Sequence, residues 1–200
     1  MRTWHRNGFY HRLLLRQIPP GARRSLDVGC GAGEFAARVA ACGVNTVGID
    51  LSTTMVDHAR ERFAGVTGLS FRVVDVTRTD LPRGHYDYIS CLACIHHVPF
   101  EPVLARLREA LSPAGVLVVL GLYRAHTPAE RLLLLVAVPA NLVVSAVASL
   151  RPRPDTPRHP VRPASMTLAE VREAAARQLP GAVIRRHLFW RYSLVYQNST

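Results

Sequence analysis

From residue 25 to residue 122 the chain alternates short β-type runs with helical patterns, and this alternation constrains the fold more than any other feature. Strands joined by helix-length connections lie parallel in one sheet, with the helices stacked on its faces. The β-type runs are residues 25–28, 46–50, 69–74, 86–90 and 115–121, and the helical runs between them are 34–40, 53–63 and 99–111. Ser52 stands where the N-cap of the second helix belongs. In the third helix Val103, Leu104, Leu107 and Leu111 recur at the spacing of one helix face.

The rest of the chain is less regular. Residues 129–150 read as helical and very apolar, and 151–163 as a loop with prolines at 152, 154, 157, 160 and 163. Residues 167–179 read as a short helix, with Thr167 and Glu170 placed for a capping box, and 182–188 and 192–197 as two closing strands. Residues 132–150 carry no charge, and a helix of that length spans about 28 Å, close to a bilayer core. Pro139 and Asn141 interrupt its middle, however, and a spanning helix would strand the closing strands across the membrane. The favoured reading is a buried or lid helix pair broken near Pro139, without a transmembrane span; peripheral membrane contact is the alternative. One domain over residues 1–200 is expected: an N-terminal cap (1–24), a core (25–122), a helical lid or insertion (123–180) and a closing strand pair (181–200).

Charge narrows the chemistry. All 25 basic residues are arginine, so a lysine Schiff base and a phosphate-loop lysine are both excluded. The net charge of +11 is uneven: residues 1–24 carry +6 and residues 25–150 carry −1. Nucleic acid, an anionic membrane surface and an acidic small substrate all fit such a charge, as does a solvated surface decorated with arginine. In the N-terminal segment, Arg12 and Arg16 bracket Leu13, Leu14 and Leu15 before an apolar signal core accumulates. Cys30, Cys42, Cys91 and Cys94 do not form a disulfide framework in a chain of this size, and a reducing cytoplasm is expected. Cys91 and Cys94 match C-x-x-C, but His96 and His97 lie too close to supply the second ligand pair of a zinc site, so no metal is expected.

The turn after the first strand carries the most specific chemistry. Gly29, Gly31 and Gly33 follow Asp27, with Glu34 where the dinucleotide fingerprint G-x-G-x-x-G places its last glycine. Acids at this turn repel a pyrophosphate and suit a ligand carrying an ammonium and a sulfonium. Asp50 ends the second strand, where a carboxylate can accept from both hydroxyls of a ribose. Asp75 follows the third strand, where it can accept from an exocyclic adenine amine while Val76 offers its backbone N–H to a ring nitrogen. One such acid is an ordinary loop or cap residue; three acids on successive strands point to a nucleoside ligand.

LDVGCGAGEFA, VGIDLSTTMVDHAR, FRVVDVTRTDLP, YDYISCLACIHHVP and LREALSPAGVLVVLG, in that order, resemble the successive motifs of class I S-adenosylmethionine-dependent methyltransferases. The nearest resemblance is to the ubiquinone/menaquinone-biosynthesis and small-molecule branch, and it covers about residues 20–122. It implies an α/β, Rossmann-like, seven-stranded sheet with the last strand antiparallel between the fifth and sixth, and helices on both faces. The helical insertion then falls between strands 5 and 6. The implied cofactor is S-adenosylmethionine, leaving as S-adenosylhomocysteine. Gly29, Cys30, Gly31 and Gly33 then approach its methionine part with Asp27 nearby, Asp50 takes the ribose, and Leu51 lies against the adenine. Asp75 and Val76 read the adenine, the Cys91 backbone faces the amino-acid end, and Met55 joins the cofactor side.

Methyl transfer is an in-line displacement at a sulfonium, so alignment and exclusion of water matter most. An alcohol or phenol benefits from a base, and a thiol needs less help. His96 and His97 follow the fourth strand at the carboxyl edge of the sheet and are the candidates for base or positioning group. Ser90-Cys91-Leu92-Ala93 lacks the Asn/Asp-Pro-Pro-aromatic signature of nucleobase and amide-nitrogen methylation, and Gly121-Leu122-Tyr123 lacks the acid that pairs with histidine in some sugar O-methylating relatives. Tyr10, His11, Tyr123, Arg191 and Tyr192 are the substrate candidates, with Trp4 in the cap. The expected activity is methyl transfer to a small, largely hydrophobic acceptor, at O or S before C or N, in biosynthesis. The alternatives are an RNA or protein methyltransferase using the arginine-rich fringe, and a protein of the same fold, a cyclase or binding module, without methyl transfer. No RNA-binding module accompanies the arginines, so nucleic acid is the disfavoured partner.

Overall fold

The computed structural model describes residues 8–125, 163–188 and 190–199. The elements are α1 (Gly8–Leu15), β1 (Arg24–Val28), α2 (Glu34–Ala40), β2 (Asn45–Asp50), α3 (Thr53–Arg62), β3 (Leu69–Val73) and β4 (Tyr86–Leu92). A 3-10 turn (Ile95–His97), α4 (Phe100–Ala110), β5 (Leu111–Leu122), α5 (Leu168–Gln178), β6 (Val183–His187) and β7 (Arg191–Gln197) follow. The expected helix at 129–150, the loop at 151–162 and residues 1–7, with Trp4, lie outside the described residues.

Seven strands form one sheet in the order β3-β2-β1-β4-β5-β7-β6. β1 to β5 pair in parallel, and β7 runs antiparallel between β5 and β6, as the resemblance implies. β1 lies between β2 and β4, so the chain leaves the carboxyl ends of β1 and β4 in opposite directions. That topological switch point opens the crevice in which α/β sheets bind ligands.

Strand periodicity divides the core into two layers. Tyr88, Val116, Val118 and Leu120 pack with Tyr10 and Leu14 of α1 and Phe35 and Val39 of α2. Val56 and Ala59 of α3 extend this layer against Ala36 and Phe71. The alternate residues Ile89, Cys91, Leu117 and Val119 face α4 and α5 through Val103, Leu104, Leu107, Val171 and Ala175. Each fully buried Leu or Ile here contributes about 1.5–3 kcal/mol. Helix ends follow the sequence signals: Ser52 accepts from the Met55 N–H at 3.3 Å, and Thr167 and Glu170 close a reciprocal capping box.

β5 differs from the expected strand. Its pairing begins at Leu111 opposite Tyr86, then jumps so that Val116 faces Tyr88, leaving residues 112–115 looped out of the ladder. Side-chain chemistry at the amino edge holds the loop. Asp87 accepts from the backbone N–H groups of Arg23 and Arg24 at 2.8 and 3.0 Å and from the Ser112 hydroxyl at 2.8 Å, tying the start of β1 to the excursion. Ala114 donates to the Asn198 carbonyl at 3.1 Å. Among the described residues no helix is long and apolar enough to cross a membrane.

Candidate active site

The glycine turn leaves β1 at the switch point. Gly29 and Gly33 take φ of +65° and +79°, values that side chains rarely adopt. A Cβ on Gly29 would run into the Cys94 side chain, and one on Gly33 would sit 2.6 Å from the Phe71 ring. Gly31 is different: a Cβ there meets nothing within 4 Å, so this side of the turn is open. The Cys30 N–H donates to the Ile49 carbonyl at 3.0 Å and pins the turn to β2. Burial first, then the charges of Asp27 and Asp50, push the Cys30 thiol pKa well above its ordinary value, so the thiol stays protonated.

Three carboxylates stand along this edge of the sheet, in β1, at the end of β2 and just after β3. Asp50 accepts from the Gly31 N–H through Oδ2 and from the Ser52 N–H through Oδ1, both at 2.9 Å. Each oxygen keeps lone-pair capacity for a further donor. Next to it Leu51 is 70% exposed, a large apolar side chain presented at the rim, whereas Met55 is buried in the first turn of α3. Asp75 accepts from the Thr77 hydroxyl at 2.6 Å and the Thr77 N–H at 2.9 Å, both through Oδ1. Those two bonds hold its carboxyl below the usual carboxylate range. Neighbouring Val76 is buried.

Asp27 is the deepest of the three, 2% exposed. It pairs in register with Ser90 of β4, whose hydroxyl donates to Oδ1 at 2.6 Å, while buried Oδ2 makes no hydrogen bond of good geometry to a described residue, the Ala36 N–H acting on it only as a nearby dipole. Burial pushes its pKa up to about 7; the Ser90 hydroxyl and the Ala36 backbone N–H pull it down, and the Asp50 charge adds to the rise. A carboxyl poised near neutrality beside an open turn has unused capacity for a cationic or N–H-bearing ligand.

The segment after β4 closes the other side. Cys91, fully buried, and Cys94 are free thiols with Sγ atoms 2.6 Å apart, and Cys94 also donates to the Val28 carbonyl at 3.1 Å. Among the described residues no group of three His, Cys, Asp or Glu could hold a metal ion. The His96 and His97 rings lie 4.0 Å apart, centroid to centroid. They part company at a cavity of about 250 Å³ between α4, α5 and the carboxyl ends of the central strands: His96 lines it with Ile95, Phe100, Met166, Val171 and Tyr192, and His97 does not.

Of the substrate candidates, only Tyr192 lines this cavity. Tyr123 is buried in the same core cluster, with the Arg186 guanidinium 5.9 Å above its ring. Arg191, also buried, opposes Leu122 at the start of β7. Tyr10 and His11 are buried in the opposite helical layer, Tyr10 donating to the Leu188 carbonyl at 3.4 Å and His11 edge-on to Phe35 at 5.0 Å.

Comparison with known proteins agrees with this architecture. The methyltransferase domain family matches residues 26–115. An uncharacterized methyltransferase of Mycobacterium tuberculosis is 30% identical over 196 residues, which is 97% of this chain and 96% of the relative. The chain belongs to the class I S-adenosylmethionine-dependent methyltransferases. The ubiquinone biosynthesis O-methyltransferase of Actinobacillus pleuropneumoniae is 33% identical over 104 residues, covering 48% of this methyltransferase and 44% of that protein. A crystal structure of an S-adenosylmethionine-dependent methyltransferase from Mesorhizobium loti superposes with a TM-score of 0.66 at 18% identity, covering 96% of this chain and 97% of that one.

The residues present fit the cofactor of this family. A sulfonium nucleoside bearing an ammonium calls for carboxylates, hydrogen-bond acceptors and an apolar surface for a base, and the methyltransferase offers Asp27, Asp50, Asp75 and Leu51 around the open turn at Gly31. Ser90 and the cavity residues Phe100, Met166 and Val171 escaped the sequence reading. Ser90 had a signal, a lone hydroxyl inside an apolar strand; the apolar three read as ordinary helix and loop residues.

Proposed function

We propose that this methyltransferase acts on a small, largely hydrophobic acceptor at oxygen or sulfur, with His96 rather than His97 as base or positioning group. The observation that carries this reading is the cavity at the carboxyl end of the sheet, lined mostly by apolar side chains with His96 among the polar ones. The O-methylating relative, similar over about half of the chain, supports oxygen as the accepting atom.

When bound, S-adenosylmethionine supplies a methyl group made electrophilic by its sulfonium. The chain's own residues do the rest. Asp50 accepts from the ribose hydroxyls, Asp75 and the Val76 N–H read the adenine, and Leu51 covers its face. Gly29, Cys30, Gly31 and Gly33 let the backbone approach the methionine part, which Asp27 and the Cys91 backbone face. His96 takes the proton of the acceptor hydroxyl as its oxygen is methylated. Residues 1–200 act as one domain, in the cytoplasm and within a biosynthetic route.

The test is methyl transfer, followed by mass spectrometry, across a panel of phenols, alcohols, thiols and amines. Phenols or thiols are expected to turn over, with His96→Asn lowering kcat for a phenol about a hundredfold and His97→Asn less than tenfold. Turnover confined to amines or RNA, or an undiminished rate in His96→Asn, would contradict the reading.

A further inference from the structure

Tyr192 is 1% exposed, yet its hydroxyl makes no hydrogen bond to any described residue. The hydroxyl is not among the fully buried side-chain atoms that lack a partner, so it opens onto the cavity and is available to a ligand, a donor that phenylalanine in the same ring volume would not offer. Nor is the side chain placed by accident. Tyr192 of β7 pairs with Gly121 of β5, and the ring and its hydroxyl occupy the space that a Cβ on Gly121 would need. The side chain thereby crosses β5 and brings the phenol within the electrostatic reach of Cys91 and Cys94 on the β4 side, while also lining the cavity beside His96. Burial, with those two thiols adding to it, raises the phenol pKa well above its ordinary value, so the group remains a donor.

We propose that the Tyr192 hydroxyl is the specificity-determining donor of the acceptor cavity, and that the preferred acceptor brings it an oxygen, as a hydroxyl, carbonyl or ether, and not only an apolar surface. The assignment rests on the acceptor site proposed above and deepens it. Two of the cavity's polar side chains then divide the work: His96 deals with the acceptor's proton, and Tyr192 fixes the oxygen's position by donating to it. The third polar residue among the described lining residues, Ser165, precedes Met166 at the cavity wall.

Tyr192→Phe removes the hydroxyl and keeps the ring. Phenol and toluene, alike in shape and differing in oxygen, serve as probes, titrated into the full chain by calorimetry. The expected result is that the variant binds phenol about fivefold to tenfold more weakly than the wild type, with toluene affinity within twofold in both. Its Tm should be unchanged or slightly higher, because the lost hydroxyl had no hydrogen-bond partner among the described residues. S-adenosylhomocysteine affinity, measured on the same samples, should also be unchanged; its absence in the wild type would strike the cofactor site itself and is thus told apart from failure here. Equal phenol affinity in wild type and variant, no binding of either probe, or a Tm lowered by several degrees would each overturn the assignment.

Discussion

The Ser90 hydroxyl donates to Asp27 Oδ1 at 2.6 Å across the paired strands β4 and β1, and both residues are buried. This bond joins the two strands that flank the switch point and favours the charged form of a carboxyl that burial drives toward neutrality.

Ser90→Ala should therefore raise the Asp27 pKa further above its present value of about 7. Cofactor affinity at pH 7 is expected to fall about threefold to tenfold, to recover at pH 8, and to be restored at pH 7 by Ser90→Thr. Calorimetry at the three pH values 6, 7 and 8 checks this. Among the described residues Cys30, Asp50, Tyr88 and Cys94 are titratable groups within electrostatic reach of Asp27, and they are left in place.

Asp27 itself is expected to cost stability. Its folded pKa, about 7, lies above the ordinary value of 3.8, so between those values the folded state binds more protons and stability falls as pH rises. The cost is complete above about pH 7 and gone below about pH 4, with a ceiling near 4 kcal/mol. Asp27→Asn should gain on the wild type in urea denaturation at pH 8 and lose that advantage by pH 4, while binding the cofactor more weakly. Parallel stability curves at both pH values would exclude this role for Asp27.

Gly33→Ala places a Cβ at φ +79° and 2.6 Å from the Phe71 ring, with Ala59 at 3.1 Å. A loss of roughly 2 kcal/mol or more follows from strain and overpacking together. Thermal unfolding measures it, and a variant as stable as the wild type would show that the turn is not fixed by these contacts.

The capping box of α5 lies away from the glycine turn and separates stability from cofactor binding. Thr167→Ala removes the side chain that accepts from the Glu170 N–H at 3.3 Å and should cost about 1 kcal/mol. Cofactor affinity should not change, as titration of the folded variant would show.

The fold was legible where its causes are local. Alternating apolar patterns placed β1 to β4, the Ser52 and Thr167 caps placed two helices, and the three strand-end acids marked the edge of the sheet at which the cofactor is proposed to bind. Long-range pairing left weaker traces. β5 begins at Leu111 because Asp87 and Asn198 hold the 112–115 loop from other parts of the chain, which no local period reveals. Likewise His96 and His97 are equivalent in sequence, and only the packing of α5 and β7 creates a cavity that distinguishes them. Ser90 meets Asp27 through strand register alone.

The most direct test of the central claim, that the carboxyl ends of β1 and β2 hold S-adenosylmethionine, is calorimetric titration of S-adenosylmethionine and S-adenosylhomocysteine into the wild type and Asp50→Ala. Asp50 ties the Gly31 and Ser52 N–H groups at 2.9 Å and is the proposed ribose acceptor. The account predicts one site per chain for both ligands in the wild type and at least a tenfold loss of affinity in a variant that remains folded. Undiminished affinity in Asp50→Ala, or no binding to the wild type, would contradict it.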